Sequence, residues 1–212
     1  MLLCSRQAGK SSVAAALAMQ TALLDAPALV LLLSPSQRQS AELYRKTADV
    51  NRALGRPIPA TGESAMRVEF ANGSRIISLP GRDDGAIRGF SAPKLVIIDE
   101  ASRVSDSLYY SIRPMLSVSR GRLLALSTPM GRRGWFYESY FSDERWNRVH
   151  VTADQIARIT KEFLAEELAA LGEAWYRQEY FCEFRDLIGS CFRTEDIEAA
   201  LSDELEPFFV GA

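Results

Sequence analysis

The chain has 212 residues, 25 Lys and Arg against 27 Asp and Glu for a formal net charge of −2, and 47% hydrophobic residues. That balance suits one sizeable domain, alone or with a small appendage, and excludes wholesale disorder. The longest apolar run, residues 26–33, is too short to cross a bilayer, no secretion signal opens the chain, and three scattered cysteines (Cys4, Cys182, Cys191) form neither a disulfide framework nor a zinc site.

Residues 1–4 form a short apolar run, read as a strand, and residues 11–24, rich in Ala and Leu, read as a helix. Residues 28–33 are continuously apolar before Ser34-Pro35, the pattern of a strand buried on both faces of a parallel sheet. A second helix is predicted over 37–54, stopped by Gly55 and Pro57. Residues 67–70 and 74–79 flank Asn72-Gly73, which signals a hairpin closed by a primed turn. A further buried strand is predicted over 95–98, a helix over 107–116 and a strand over 122–126. The aromatic group Trp135, Phe136, Tyr137, Tyr140 and Phe141 reads as a helix packed on the core. Beyond about residue 145 one strand (148–151) precedes two acidic helices, 161–171 and 173–183, whose Trp175, Tyr176, Tyr180 and Phe181, with Phe184 just beyond, also read as packing residues.

Strands alternating with helices predict an α/β fold with a mostly parallel, doubly wound sheet flanked by helices, its ligands at the carboxyl ends of the strands. The core is placed at residues 1–144, a small and mainly helical lid or linker subdomain at 145–187, and a further linker at 188–212. Near-neutrality averages two unlike parts. Residues 1–160 carry +7 and residues 161–212 carry −9, and all but four of the 25 basic residues are arginines. Arginine forks suit phosphate, although a genome rich in G and C gives the same bias.

Three polar motifs fall at predicted strand ends. In Ser5-Arg6-Gln7-Ala8-Gly9-Lys10-Ser11, the last three residues match the second half of a phosphate-binding loop. Backbone N–H groups there curl around phosphate oxygens, the lysine reaches the terminal phosphates, and the hydroxyl meets magnesium. Cys4 stands where the strict pattern has its first glycine. In the second motif, Asp99 at a strand end suits a magnesium shell and Glu100 suits activation of the attacking water. Ser127-Thr128-Pro129, one strand later, is placed to sense the terminal phosphate. Arg6 lies in the loop and Arg88 before the Asp99 strand, so each is a candidate arginine finger, in cis and from a neighbouring subunit respectively. A phosphate contact without a rate role is the alternative for Arg6, and a solvated loop residue for Arg88. His150, the only histidine, supports no triad or multi-histidine metal site and reads as a structural strand residue.

This ordered set resembles the large subunit of tailed-phage terminases, a family whose phosphate loop often has Arg-Gln before Gly-Lys and lacks the first glycine. Residues 175–184 are similar to the helix that closes the family's ATPase region. The resemblance implies a P-loop NTPase of the additional-strand, catalytic-glutamate (ASCE) type that hydrolyses ATP with Mg2+ and drives duplex DNA into a procapsid. It gives phosphate and magnesium contacts to Lys10 and Ser11, magnesium support to Asp99 and catalysis to Glu100. Ser127, Thr128 and Pro129 become the coupling motif, and Arg6 and Arg88 the arginine candidates. The implied partners are double-stranded DNA, a terminase small subunit, a portal protein and further copies in a ring, with no membrane, in the cytoplasm of a bacterial host. The chain starts eight residues before Gly9 and ends in Phe208-Phe209-Val210-Gly211-Ala212. The expectation is therefore a motor region lacking the upstream adenine element, with 188–212 holding the linker and the start of an absent nuclease.

Two rivals remain. A fragment of a superfamily-2-like helicase shares the Asp-Glu pair, but such enzymes need a second core domain of ~150 residues, and 83 residues follow Pro129. A non-catalytic remnant that docks on the portal or small subunit differs by lacking ATP turnover.

Overall fold

The two apolar runs near residues 30 and 96 lie side by side in the middle of one sheet. The computed structural model describes residues 1–81, 84–186 and 194–201. In chain order the elements are β1 (Leu2–Cys4), α1 (Lys10–Leu24), β2 (Leu29–Ser34), α2 (Gln37–Ala53), β3 (Ala60–Ser64), β4 (Arg67–Phe70), β5 (Arg75–Pro80), α3 (Asp84–Arg88), β6 (Leu95–Asp99), α4 (Asp106–Ser119), β7 (Arg122–Ser127), α5 (Gly134–Phe141), β8 (Val149–Val151), α6 (Lys161–Phe181) and α7 (Thr194–Ala200). The strands form an eight-stranded sheet in the order β3-β4-β5-β2-β6-β7-β1-β8. Every pairing from β5 to β8 along that order is parallel, and β3 and β4 add an antiparallel edge.

Alternation along the central strands divides the core in two. Leu29, Leu31 and Leu33 of β2, with Val96 and Ile98 of β6, face Leu108, Tyr109 and Ile112 of α4 and Trp135 and Phe136 of α5. Val30, Leu32, Leu95 and Ile97 face Ala14, Ala18, Met19 and Ala22 of α1 and Leu43 and Tyr44 of α2. Covering both faces is what makes uninterrupted apolar strands stable, since every second side chain would otherwise meet water. At ~25 cal/mol per Å² of apolar area, burial of these residues is the main stabilising term.

One expectation needs correction. The hairpin at residues 67–80 forms, but not through a two-residue primed turn. The Phe70 carbonyl accepts from Gly73 N at 2.9 Å, and the left-handed residue is Gly73, with φ 80°, while Asn72 keeps a negative φ. A primed type I turn needs positive φ at both central positions. Asn72 is instead held by its own side chain, which donates to Ala22 O at 2.9 Å and accepts from Ser74 N at 3.0 Å. His150 lies on β8, paired with Leu3 of β1 as expected of a strand residue, with its side chain exposed.

β8 pairs with β1, so the sheet continues past residue 144. The two acidic helices run on as α6 with a break at Gly172 (φ 74°, ψ 161°), where a side chain would be strained. Tyr180 packs with Leu164 and Ala153 in a small core of its own, whereas Trp175 stays 45% exposed. Of the segment expected at 188–212, only residues 194–201, which include α7, are among the described residues. No helix among the described residues is long and apolar enough to cross a membrane.

Candidate functional site

The sheet order brings the three motifs together. β7, which ends in Ser127, lies between β1, which leads into the loop at Ser5, and β6, which ends in Asp99. All three strands are parallel, so their polar carboxyl ends share one edge.

The loop reverses through two residues of positive φ, Gln7 (59°) and Gly9 (82°), and Gly9 caps α1 without a side-chain bond. The first N–H groups of α1 therefore face outward with the positive end of its dipole, ready for an anion. Lys10 Nζ folds back over the loop and donates to the carbonyls of Cys4 at 3.0 Å and Ser5 at 2.9 Å. Ser11 Oγ donates to Asp99 Oδ2 at 2.9 Å, and Asp99 Oδ1 accepts from Glu100 N at 3.0 Å. Burial pushes the Asp99 carboxyl above its ordinary value, with these two hydrogen bonds pulling the other way. Burial also raises the Glu100 carboxyl, opposed chiefly by the Lys10 ammonium and reinforced by Asp99. Glu100 itself sits at φ 51°, a left-handed conformation that costs a non-glycine residue on the order of 1 kcal/mol or more and is typical of functional positions. An open cavity of about 350 Å³ is lined by residues 6–12 together with Lys46, Glu100 and Arg158.

Ser11 and Asp99 offer hard oxygen ligands beside the loop, which fits a magnesium ion held by one or two protein oxygens and by substrate phosphates. Among the described residues no group of three or more His, Cys, Asp and Glu forms an all-protein metal cage.

The remaining predicted residues take different places. Arg6 Nε donates to Glu179 Oε2 of α6 at 2.8 Å, and Arg6 N donates to the Glu179 carbonyl at 3.0 Å. The Glu179 carboxylate is nearly buried, and its Oε1 faces Arg103 Nη2 at 3.9 Å, while Arg103 Nε lies 3.7 Å from Glu100. Arg88 is exposed on α3, donates to Ser111 Oγ at 3.4 Å and does not line the loop cavity. Ser127 and Thr128 are buried behind the loop.

Reading the motifs alone missed Ser102, Arg103, Lys46, Arg158 and Glu179. Ser102, two residues after Glu100, joins the second and third motifs. Its Oγ lies 2.7 Å from Ser127 Oγ and donates to Thr128 O at 2.9 Å, while its backbone N donates to Ser127 Oγ at 3.2 Å. Ser127→Ala leaves that N–H without its acceptor in a closed space. A loss of about 1–3 kcal/mol is expected, read as a melting temperature lower by several degrees. An unchanged melting temperature would show that water replaces the hydroxyl.

Fold and site first define a class: an α/β phosphate-loop nucleotide-binding domain with one strand inserted between the loop strand and the acidic strand. The family described as terminase large subunit, T4likevirus-type, N-terminal, matches residues 1–199, and the chain belongs to that family. It is 26% identical over 200 residues to the terminase large subunit of Escherichia phage T5, covering 90% of this chain and 44% of that protein. The chain thus spans under half the length of that curated relative. The large terminase ATPase domain of Thermus phage P74-26 superposes with a TM-score of 0.73 at 20% identity, covering 87% of each chain. The large terminase of a thermophilic bacteriophage, solved in complex with ADP, superposes with a TM-score of 0.68 at 14% identity, covering 86% of this chain and 47% of that one. At those identities the likeness is one of fold.

Proposed function

We propose that the chain is the ATP-hydrolysing part of a DNA-packaging motor. The observation that carries this reading is the Ser11–Asp99 hydrogen bond, which ties the acidic strand end to the loop, beside a cavity that the loop and Glu100 line together. It joins a phosphate-binding element to a candidate base, and family membership supplies the motor context. The ADP and ATP-γ-S complexes of the relative from the thermophilic bacteriophage support the choice of nucleotide.

Backbone N–H groups of residues 8–11 and the start of α1 hold the phosphates, and the Lys10 ammonium leaves its two carbonyls for the terminal phosphate. Ser11 and Asp99 hold Mg2+, which when bound neutralises charge on the phosphate oxygens. Glu100 orients water in line with the γ-phosphorus and takes its proton, leaving ADP and phosphate. Arg6 steadies charge on the terminal phosphate in cis, and Arg88, on the outer surface, serves a neighbouring copy. Ser127, Thr128 and Pro129 pass the loss of the γ-phosphate to α5 through the Ser102 bridge. Residues 1–144 act as the motor core and 145–187 as the lid, with 188–212 leading onward. The partners are duplex DNA, a small terminase subunit, a portal protein and further copies in a ring, acting in the cytoplasm of the bacterial host.

Phosphate release from ATP, with and without magnesium and duplex DNA and at high protein concentration, tests the reading. Turnover should require magnesium and fall to background in Lys10→Ala. Equal rates in the two chains would favour the non-catalytic docking module.

A further inference from the structure

Arg158 belongs to no phosphate-loop motif and lies 151 residues from Gln7 in sequence, yet the fold sets it against the loop. It stands in the short segment between the turn Ala153–Gln155 and α6. That segment is well anchored. Thr152 and Gln155 make a reciprocal capping box, Ile159 N donates to Ile156 O at 2.9 Å, and Thr160 caps α6 through Phe163 N at 3.2 Å. Ala153 is fully buried against Leu164 and Tyr180. The exposed guanidinium is therefore presented from a fixed base. Its Nη2 donates to the Gln7 carbonyl and lies 3.7 Å from where a Cβ on Gly9 would stand.

Charge decides what this arrangement can hold. Glu100 is the one carboxylate among the residues lining the cavity, against Arg6, Lys10, Lys46 and Arg158. Arg6 is already matched by Glu179, and Glu100 by Arg103 at 3.7 Å. Among the described residues Arg158 makes no ion pair, and its hydrogen-bond partner is a neutral carbonyl. A guanidinium has five N–H donors in a planar fork, so donors remain for a second acceptor beside the loop. No aromatic side chain lines the cavity, so nothing there offers a base a ring to stack on. Phosphate oxygens are the complementary ligand.

We propose that Arg158 is a nucleotide-binding residue that clasps the polyphosphate chain from outside the loop, so that the segment leading into α6 closes on bound ADP or ATP. This rests on the ATPase reading but assigns a contact that the motifs do not contain. Because the fork grips phosphates already present in the ground state, it acts on binding more than on the chemical step.

Calorimetric titration of the chain with Mg-ATP and with Mg-tripolyphosphate tests it. Arg158→Ala is expected to weaken both ligands alike, by about tenfold, the scale of one charge-assisted hydrogen bond. The KM for ATP should rise in step while kcat stays within about threefold. Arg158→Lys should recover part of the affinity, and Arg158→Gln, which keeps an N–H donor but no charge, should not. If Arg158→Gln binds as the unaltered chain does, the side chain only pins the loop and the proposal falls. A loss seen with ATP but not with tripolyphosphate points to the nucleoside and also overturns it, as does a change under twofold in Arg158→Ala. If the unaltered chain binds neither ligand, the ATPase reading itself is lost. If it binds both and the variants match it, only the role of Arg158 is lost.

Discussion

Replacing Glu100 by glutamine is expected to lower ATP turnover by about 10²- to 10⁴-fold, the usual worth of a general base, with Mg-ATP affinity kept within about threefold. Glutamine has the same shape and holds the same backbone position, but it cannot take a proton from water. Binding should persist because Lys10, Ser11 and the start of α1 are untouched. Folding should persist as well. Burial holds the Glu100 carboxyl above its ordinary value, so stability is lost as pH rises from the ordinary glutamate range through the folded-state value, and the full cost is present above it. The glutamine variant should then melt at or above the temperature of the unaltered chain at pH 7–8. The same shift fixes the sign of the pH profile. A base works only when deprotonated, so the acid limb of kcat/KM, which reports the ligand-free protein, should lie above the range of an ordinary glutamate. Arg103, a cation near Glu100 that favours its charged form, should hold that limb down, and Arg103→Ala should move it further up. A glutamine variant with full turnover would remove Glu100 from the mechanism.

What the sequence shows of this site follows from how its parts are carried. Gly9-Lys10-Ser11, Asp99-Glu100 and Ser127-Thr128 are polar groups that each follow an apolar strand at once, so each stands out locally. Their convergence needs β7 inserted between β1 and β6, which local pattern does not reveal. Glu179, Arg103, Ser102, Lys46 and Arg158 come from other elements and gain meaning only through tertiary contact. Glu179 did leave a trace: a carboxylate between Tyr176 and Tyr180 on a helix with aromatic packing residues must find a cation if it is buried, and Arg6 is that cation. Arg158 left none, being an exposed arginine in a short connection. The fold shows the same division. β2 and β6 were legible because both their faces are covered. β3, whose five residues are all exposed, has no apolar alternation and exists only as the edge partner of β4. The Asn72-Gly73 pair does not close a primed turn because Asn72 is pinned to the end of α1, a contact distant in sequence that overrides the dipeptide's own preference.

Trp135→Ala is expected to cost about 3–5 kcal/mol, the range for removing a large buried aromatic. The indole is 2% exposed. It stacks on Tyr109 of α4 with ring centroids 4.2 Å apart and an interplanar angle of 9°, and Phe136 meets it edge-on at 5.7 Å. Its Nε1 donates to Val104 O at 3.1 Å, in the stretch that links Glu100 to α4. The Trp135 backbone N donates to Asp106 Oδ1 at 2.8 Å, which ties the start of α5 to the start of α4. Truncation therefore opens a cavity and strips a buried carbonyl of its donor at the same point. For a chain of this length a kcal/mol is worth about 2–4 °C, so the midpoint should fall by roughly 10 °C. Trp135→Phe keeps much of the stacking area but not the indole N–H, and should lose a smaller amount, about 1–3 kcal/mol. Val118→Ala, at a position 77% exposed, is the matched control and should stay within about 0.5 kcal/mol. Thermal melts of the three variants rank these outcomes. The position of Trp135 gives the result a functional consequence: it joins the segment after Glu100 to the helix that follows Ser127-Thr128-Pro129. Below its lowered midpoint, the alanine variant should keep Mg-ATP binding, because the indole's stacking and hydrogen-bond partners are Tyr109, Phe136 and Val104, yet lose turnover as the two connections come apart. Equal loss of binding and turnover would mean that the indole only holds the fold.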